Sequence, residues 1–549
     1  MDTITTTVTS GSDHEPISYG PAGFQGLLKQ PYGVISGVLV MNNFSRLFPS
    51  LSTNPTLQGW MVSVLTLGAM FGAFINGPIS EIISRKRSIF YANIVFLIGS
   101  VLQAAAQNVL MILVGRFFAG VSIGMLAMVT PLYLSELSPP EIRGALVTLQ
   151  QFAITIGILG AFWLEYGTQY IGGNGDGQSE VAWRLPLALQ CLPSAVLAIG
   201  TFFLPFSPRW LVNQGREKEA FETLVKLRRV PEGDSRLSKE ILEIRVAYLF
   251  EQESLKAKYG DRAGKFEIAV QQYKELFTIG HLRKRTIIAC GLQVVEQFTG
   301  INAIIYYAPT IFKALSLSST SITLLATGVV GIINVLFTIP SLYFIDRLGR
   351  RKLLIIGAIG MSISQLVVGS LFAAYKDTWS SHRAAGWVAC TFVWIYIATF
   401  AFQVGVIWIM PSEMFHLSFD LKLLDLLSRR IGWVCILASR HALCLRHLLT
   451  SYPSVFAANF IVGLITPRML KKISFGTFYF FLVFCVILLG WSWWGIPETK
   501  GVPIEEMDKI FGGNEGADDV RRMEEIRMRL ERQDSVTEET VVTELKGKC

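Results

Sequence analysis

Charged residues are scarce in this chain. They make up 16% of its 549 residues, whereas soluble proteins carry about a quarter. Lys and Arg are also missing over long stretches: between Gly37 and Arg85 the only one is Arg46, and two later gaps are longer. Gaps of this size fit pairs of membrane spans joined by short connections. The pattern predicts a polytopic membrane protein and excludes a series of soluble domains.

Groups that carry out chemistry are also scarce. The seven cysteines are scattered and form no CxxC pair, which argues against a disulfide or metal framework. The sequence shows no nucleophile–base pair, no metal-ligand cluster and no phosphate-binding loop. We therefore expect no enzyme activity and no cofactor or metal.

The net charge of +8 does not indicate a nucleic-acid partner. In a polytopic protein, Lys and Arg collect in loops that stay on the cytoplasmic side, and this explains the excess. The start of the chain, Met1 to Pro16, is rich in Thr and Ser and lacks a basic segment followed by an apolar core. No cleaved signal peptide is expected there.

Apolar runs divide the chain into five parts. We predict a disordered cytosolic tail, a six-helix half, a cytosolic linker with short helices, a second six-helix half and a cytosolic C-terminal tail; these are residues 1–30, 31–205, 206–285, 286–496 and 497–549. Within the linker, amphipathic patterns predict helices at Glu217–Leu227 and Leu237–Phe250. The predicted fold is an all-α polytopic membrane protein with nominally 12 transmembrane helices arranged as 6+6.

The two halves repeat a charge pattern. An acidic residue and then a basic cluster follow the second span, in Gly77 to Arg87, and the eighth span, in Asp346 to Lys352. One such cluster would fit ordinary flanking charge. Two at matching positions favour a duplicated six-helix unit.

The most unusual stretch runs from Gln293 to Tyr307, inside an apolar run of transmembrane length. Gln293, Glu296 and Gln297 share one face of a helix, and polar groups at membrane depth usually face the bundle interior or a watery path. Asn302 would point away from them unless the helix breaks near Thr299-Gly300. A broken helix lined with amides suits a neutral, polyhydroxylated ligand, because amides donate and accept as hydroxyls do.

Several motifs together resemble the sugar porters of the major facilitator superfamily, especially fungal hexose transporter-like members. The resemblance covers roughly 32–418 and 456–511. The motifs are Gly115-Arg116, Pro131 to Glu136 with Arg143-Gly144, Pro205 to Leu211, Gln293 to Tyr307, Asp346 to Arg351, Pro411 to Glu413 and Pro497 to Gly501. The order and spacing of these motifs make the match specific.

The resemblance implies alternating access, in which two halves rock about a central sugar site. The positions matched to sugar contacts are Gln151, Gln293, Glu296, Gln297, Asn302, Asn334, Trp408 and Asn459. Amides would bind sugar hydroxyls, and an indole would offer an apolar face. Alternatives stay open: Gln151 and Asn334 could form interhelical hydrogen bonds, and Trp408 could belong to an interfacial belt.

The resemblance also implies a cytoplasmic charge network that holds one conformation and breaks in the other. The matched residues are Arg116, Glu136, Arg143, Glu81, Arg85, Asp346, Arg347, Arg350 and Glu413. Ion pairs that favour one of two packings by a few kcal/mol suit such a gate. The alternative is that these residues are solvated flanks worth under about 1 kcal/mol each.

Three regions depart from the family pattern, at about 20–32, 403–408 and 420–455. In the first, Pro31 stands where relatives carry an aspartate, so Arg116 is expected to lack its acidic partner, and the run from Tyr32 to Phe48 is short for a span. In the second, residues that bend the tenth span are missing between Gly405 and Trp408.

The third departure has two parts. Asp420 replaces an arginine that relatives pair with the residue matched by Glu413. Beyond it the pattern disappears, and four arginines make a lipid-facing span there unfavourable: Arg429, Arg430, Arg440 and Arg446.

These observations predict a carrier that moves a hexose-like monosaccharide, either by facilitated diffusion or coupled to protons, with Glu296 as a group that could titrate. We expect a multi-pass plasma-membrane protein, surrounded by lipid, with both termini cytosolic and the monomer as the functional unit. The alternatives are a sugar sensor that does not transport, or a defective or mis-spliced transporter product.

Overall fold

A computed structural model describes residues 31–138, 143–173, 177–231, 233–260, 271, 274–275, 277–315, 320–375, 378–379, 381–415, 435–498, 521–522 and 524–533. Within these ranges the chain folds into helices joined by short connections, and no β-strand occurs. The all-α architecture agrees with the sequence-based prediction.

The described residues of the N-terminal half form nine helical segments. They are α1 (Pro31–Val38), α2 (Asn42–Leu47), α3 (Pro49–Thr53), α4 (Pro55–Ile83), α5 (Arg85–Ala104), α6 (Val109–Leu137), α7 (Arg143–Thr168), α8 (Val181–Leu189) and α9 (Cys191–Phe203). Helices α8 and α9 are separated only by Gln190 and form one span, Val181–Phe203.

The linker and the C-terminal half supply the other helices. In the linker these are α10 (Pro208–Asn213), α11 (Glu217–Arg228) and α12 (Ser235–Tyr259), which confirms the two predicted helices and adds one. The C-terminal half contains α13 (Gly280–Phe298), α14 (Ile301–Ala314), α15 (Thr320–Leu348), α16 (Arg350–Tyr375), α17 (Arg383–Phe415), α18 (Cys435–Lys472) and α19 (Gly476–Trp494). Residues 524–533 form a last helix, α20.

Ten helical stretches of the described residues are long and apolar enough to cross a membrane. Helix α7 is also long enough, with 26 residues. The remaining predicted span, which comes first in the chain, does not form a single long helix. It was expected to be one short helix over 32–48, but the structure divides it into α1 and α2, with Met41 in an extended conformation.

The polar partners of the first span explain this break. Asn43 lies just after the break. Its side-chain Nδ2 donates to the Gln178 backbone carbonyl at 2.8 Å, and its backbone amide donates to the Gln178 side-chain oxygen at 2.9 Å. Next to it, the Phe44 ring packs edge-on against Trp183, with centroids 5.4 Å apart. These contacts compensate for the helical hydrogen bonds that are lost at the break.

Helices α4 and α6 cross with their backbones nearly touching. A side chain at Gly72 would run into the Val121 carbonyl, and one at Gly124 would run into the Ala69 carbonyl. Small residues allow such close crossings in membrane helices, where van der Waals packing replaces the hydrophobic effect. The crossing fixes α6, which carries Arg116 and Glu136.

The two atypical regions of the C-terminal half are helical where they are described. Helix α17 runs without interruption through 403–408, as expected from the missing bend residues. For the stretch 419–453 the sequence predicts irregular structure, and from Cys435 on this prediction is wrong: α18 begins at Cys435 and contains 38 residues. At about 57 Å it is longer than the roughly 30 Å hydrocarbon core, and it contains the candidate span Tyr452–Lys472. Residues 416–434, including Asp420, Arg429 and Arg430, lie outside the described residues.

Candidate functional site

The polar stretch of the seventh span contains a break at the predicted place. Helix α13 ends at Phe298, and α14 begins at Ile301. Between them Gly300 adopts φ +96° and ψ 12°, a region that favours glycine. A side chain at this position would also lie 2.6 Å from the Phe481 ring. Both the backbone angle and the space require glycine here.

The break turns Asn302 toward the amides of α13. Its Nδ2 donates a hydrogen bond to the Gln297 side-chain oxygen. Gln293, Glu296 and Gln297 are 3%, 2% and 6% exposed, so the polar face is enclosed within the bundle and not turned to lipid. The structure therefore unites the four polar side chains of this stretch that the sequence proposed as sugar contacts.

Two tyrosines connect this stretch to α18. The Tyr306 hydroxyl donates to the Asn459 side-chain oxygen at 3.1 Å. The Tyr307 hydroxyl donates to the Gly463 carbonyl at 2.9 Å. Asn459 is thus held beside α14, as its proposed role requires. The two hydroxyls were not proposed as site groups, although both lie within the stretch that the sequence singled out.

A second set of contacts fixes the break from behind. The Thr299 carbonyl accepts from the Tyr396 hydroxyl at 2.9 Å and from the Gln365 amide at 3.3 Å. These donors come from α17 and α16, so three helices meet at the end of α13. Sequence reasoning missed both residues because each is a single polar side chain in an apolar run.

Helices α7 and α15 join the two halves and run antiparallel. A side chain at Gly328 would lie 3.3 Å from the Trp163 ring, and one at Gly331 would lie 3.0 Å from the Leu159 Cα. Three residues toward the C-terminus of α15 therefore correspond to four residues toward the N-terminus of α7. This register fixes the relative heights of the proposed sugar contacts on these two helices.

Asn334 lies one turn beyond Gly331, level with about residue 156 of α7. Gln151 is about five residues from that level, so the two amides are separated by about 8 Å along the helix axes. Asn334 is buried and Gln151 is half-buried. Both side chains belong to helices at the interface between the halves.

Trp408 lies in the interior and not in an interfacial belt. Its ring is 5.5 Å from that of Tyr452 on α18, and it packs on a buried cluster that includes Ala69, Ala127 and Phe456. The cluster joins α17 and α18 to α4 and α6 of the other half.

Two residues of the predicted charge network form a buried pair. Glu136 accepts from Arg85 Nε at 3.1 Å, and Arg85 Nη2 lies 3.1 Å from the same oxygen. The side chains are 1% and 7% exposed. Such a pair is far less screened than a surface pair. The sequence expected Arg143 as the partner of Glu136; the Arg143 side chain lies outside the described residues, as do those of Asp346 and Glu413.

The remaining network residues occupy helix ends. The Arg347 guanidinium lies over the Tyr343 ring, 4.1 Å from its centroid. Arg350 donates from its side chain to the Ile345 carbonyl at 3.1 Å, and its backbone amide donates to Glu498 at 2.9 Å. The Glu81 carbonyl accepts from the Trp210 indole at 2.9 Å, which ties α4 to the linker.

Arg116 is 1% exposed and lies at membrane depth on α6. Its Nη2 donates to the Val62 carbonyl at 3.3 Å. It is also close enough to Tyr307 of the other half to act electrostatically on that hydroxyl. The residue that relatives match with an aspartate is here Pro31, as the sequence indicates.

The linker extends the charge network to the C-terminal helix. Burial raises the pKa of Glu243 on α12 to about 7, and the negative charge of Glu240 adds to this effect, whereas Arg527 on α20 opposes it. An apolar cluster joins the same two helices: Val246 and Phe250 from α12 pack with Ile526 and Leu530 from α20. The C-terminal helix therefore docks on the linker.

One buried acidic residue was not identified from the sequence. Glu165 lies near the end of α7, is completely buried and accepts hydrogen bonds from the first span. It is the only Asp or Glu in the run 145–166, and that isolation was a signal that could have identified it.

Comparisons with known proteins agree with the helical architecture. The family model described as "Sugar (and other) transporter" matches residues 31–435 and 448–511. Its match skips 436–447, inside the region where the family pattern is lost. Sugar transport protein 10 of Arabidopsis thaliana is 32% identical over 87% of this chain and 87% of its own length. A protein named "Probable quinate permease" from Aspergillus niger is 32% identical over 82% of this chain and 78% of its own.

A solved structure shows the same fold. The xylose transporter XylE from E. coli, in a partially occluded inward-open conformation, is 26% identical and superimposes with a TM-score of 0.68, covering 88% of this chain and 98% of its own. The chain is an integral, multi-pass membrane protein and belongs to the sugar (and other) transporter family of the major facilitator superfamily.

Proposed function

We propose that this protein carries a monosaccharide across the plasma membrane by alternating access, with the sugar held at the break between α13 and α14. The observation that carries the proposal is the Gln297–Asn302 contact across the break, within a polar face that is enclosed by the bundle. Enclosed amides are costly unless they bind a polar partner. A sugar would supply hydroxyl groups that both donate and accept.

The proposed site draws on both halves. Gln293, Glu296, Gln297 and Asn302 would contact one side of the sugar, and Asn459, held by Tyr306, would extend that side. Gln151 lies on the N-terminal half and Asn334 on α15 facing it, so closure of the halves would bring amides against the opposite side. Trp408 is retained as a proposed contact because it lies where α17 and α18 meet the N-terminal half.

Uptake of radiolabelled hexoses by transporter-null cells that express the chain tests this function. We expect saturable uptake, and a rise in KM of about tenfold in Gln297→Ala, since one or two lost hydrogen bonds to a ligand are each worth about 1 kcal/mol. Gln214→Ala is the control, because it removes an exposed amide at the end of a cytosolic helix. Surface labelling with no uptake of any hexose would contradict the proposal.

Coupling to protons is proposed through Glu296. Its carboxyl is buried within the polar face of α13. We expect that Glu296→Gln keeps sugar binding and changes the dependence of uptake on external pH. Identical uptake from pH 5 to pH 8 in both proteins would favour facilitated diffusion instead.

A defective product is the second candidate, favoured by the unbroken α17 and by the unmatched residues 436–447. Surface biotinylation separates it from a carrier, because a chain that fails to reach the plasma membrane would be retained inside the cell. Tags at each terminus, accessible only after permeabilisation, test the proposed cytosolic position of both ends. Size analysis in detergent tests the proposed monomer.

A further inference from the structure

Glu165 is a carboxyl group enclosed in the membrane-spanning part of the chain. It is 0% exposed, and a buried carboxyl is costly unless hydrogen-bond donors replace water. The Gly37 amide nitrogen supplies such a donor, 3.1 Å from each carboxyl oxygen. The Val38 amide and the Ser36 hydroxyl also donate to it. All three donors belong to the end of α1.

The approach of Glu165 to α1 depends on the absence of a side chain at residue 37. A Cβ placed on Gly37 would lie 2.5 Å from Glu165 Oε2 and 2.6 Å from its Cδ, closer than atoms pack. Gly37 thus accommodates the carboxyl, while the carboxyl binds the backbone that Gly37 exposes. Immediately after this contact the helix ends, and Met41 is extended.

The contact lies between two parts of the transport machinery. Helix α1 packs against α7, which carries Gln151 and Glu165, and also against α14, which carries Asn302 and Tyr306. The first span is therefore held by the N-terminal half and in turn covers the wall of the site contributed by the C-terminal half. A shift of α1 would change how α14 packs without removing any proposed sugar contact.

We propose that Glu165 is a positioning residue for transport: its carboxyl holds the broken end of the first span against α7, and α1 thereby supports α14 beside the sugar site. This inference rests on the proposed transport function. The two can fail separately, because absence of uptake by the parent chain concerns the function, whereas normal uptake by the Glu165 variants concerns the inference.

Initial rates of hexose uptake, normalised to the amount of protein at the cell surface, test the role of the carboxyl. Glu165→Gln keeps the size but replaces one acceptor oxygen by a donor that faces the Gly37 amide. We expect Vmax to fall about tenfold or more with KM within about twofold, as the loss of a buried hydrogen bond that holds α1 in place would produce. Glu165→Asp, which keeps the carboxyl, should recover part of the rate.

Glu180→Gln is the matched control. Glu180 is half-exposed and pairs with Arg184 at the surface, so the parent kinetics are expected. Gly37→Ala tests the contact from the other side: it should reduce Vmax in the parent but have a smaller effect in a Glu165→Ala background, where the collision is removed. Such non-additivity is the signature of direct contact.

Two outcomes would overturn the proposal. One is parent Vmax and KM in Glu165→Gln at equal surface amounts. The other is a raised KM with unchanged Vmax, which would indicate that Glu165 contacts the sugar directly. If Glu165→Gln does not reach the surface, Glu165→Asp and Gly37→Ala decide the matter, and parent kinetics in both would overturn it.

Discussion

Replacement of Gly300 by alanine tests whether the break in the seventh span is required. Two costs follow from the structure. A residue with a Cβ at φ +96° is strained by about 1–3 kcal/mol. The new methyl group would lie 2.6 Å from the Phe481 ring, and overpacking of this kind costs about 1–3 kcal/mol more. We therefore expect Gly300→Ala to lose about 2–6 kcal/mol of stability in the conformation that contains the break.

The chain can reduce this cost only by straightening the helix, which would turn Asn302 away from Gln297. We expect a lower apparent Tm in detergent, followed with a thiol-reactive dye that reports the buried Cys390 and Cys485, together with loss of saturable hexose uptake. Gly160→Ala is the matched control, since nothing lies within 4 Å of a Cβ at that position of α7. An unchanged Tm and unchanged uptake in Gly300→Ala would refute the reasoning.

Three further predictions concern the charge network and the linker. Glu136→Gln leaves the Arg85 charge buried without its partner and should lower the stability of the fold by about 3 kcal/mol. The loss should appear as a fall in apparent Tm, which Glu180→Gln, a variant of an exposed ion pair, should not show. Equal falls in Tm in the two variants would contradict a strong buried pair. The pKa of Glu243 is raised from 4.5 to about 7, so the packed linker holds more protons than the unfolded chain, and its stability falls as pH rises from about 4.5 to about 7. Glu243→Gln should remove this part of the pH dependence of Tm between pH 5 and 8, and a superimposable Tm profile would show that the linker does not sense this carboxyl. Leu530→Asp places a charge in the apolar cluster of α12 and α20 and should release α20, which would be measured as faster amide exchange in residues 524–533. Met528 is exposed, so Met528→Asp should leave amide exchange as in the parent. Slow exchange in both variants would argue against docking through this cluster.

The sequence was sufficient for the fold class and for the central part of the site. Long gaps between basic residues indicate membrane spans because charge is costly in hydrocarbon. The amides at Gln293 and Gln297 indicate a polar face, and Gly300 identifies the place where the helix breaks. Each of these inferences depends on neighbours in the chain, so local pattern carries the information.

The first span and the eleventh show where local pattern fails. The run 32–48 reads as one short helix, but Asn43 and Gly37 find partners more than a hundred residues away, and these partners stabilise a break. The stretch 419–453, which contains Arg440 and Arg446, was predicted to be irregular, yet from Cys435 on the backbone is helical and belongs to α18. The rule that charged residues are unfavourable in a span applies only to the part of a helix inside the bilayer, and a helix longer than the bilayer can extend beyond it.

The amino-acid sequence by itself indicated the all-α membrane architecture and the polar face of the seventh span, since these follow from periodicity and charge, and its motifs indicated the family by resemblance. Only the tertiary structure decided the pairings: Arg85 with Glu136, Tyr306 with Asn459, and Glu165 with the Gly37 amide. Each pair joins residues far apart in the chain, and the donors and acceptors meet only after the helices have packed. Sequence periodicity does not predict these pairs, because the geometry of helix crossing, and not the local order of residues, brings the donor and the acceptor together.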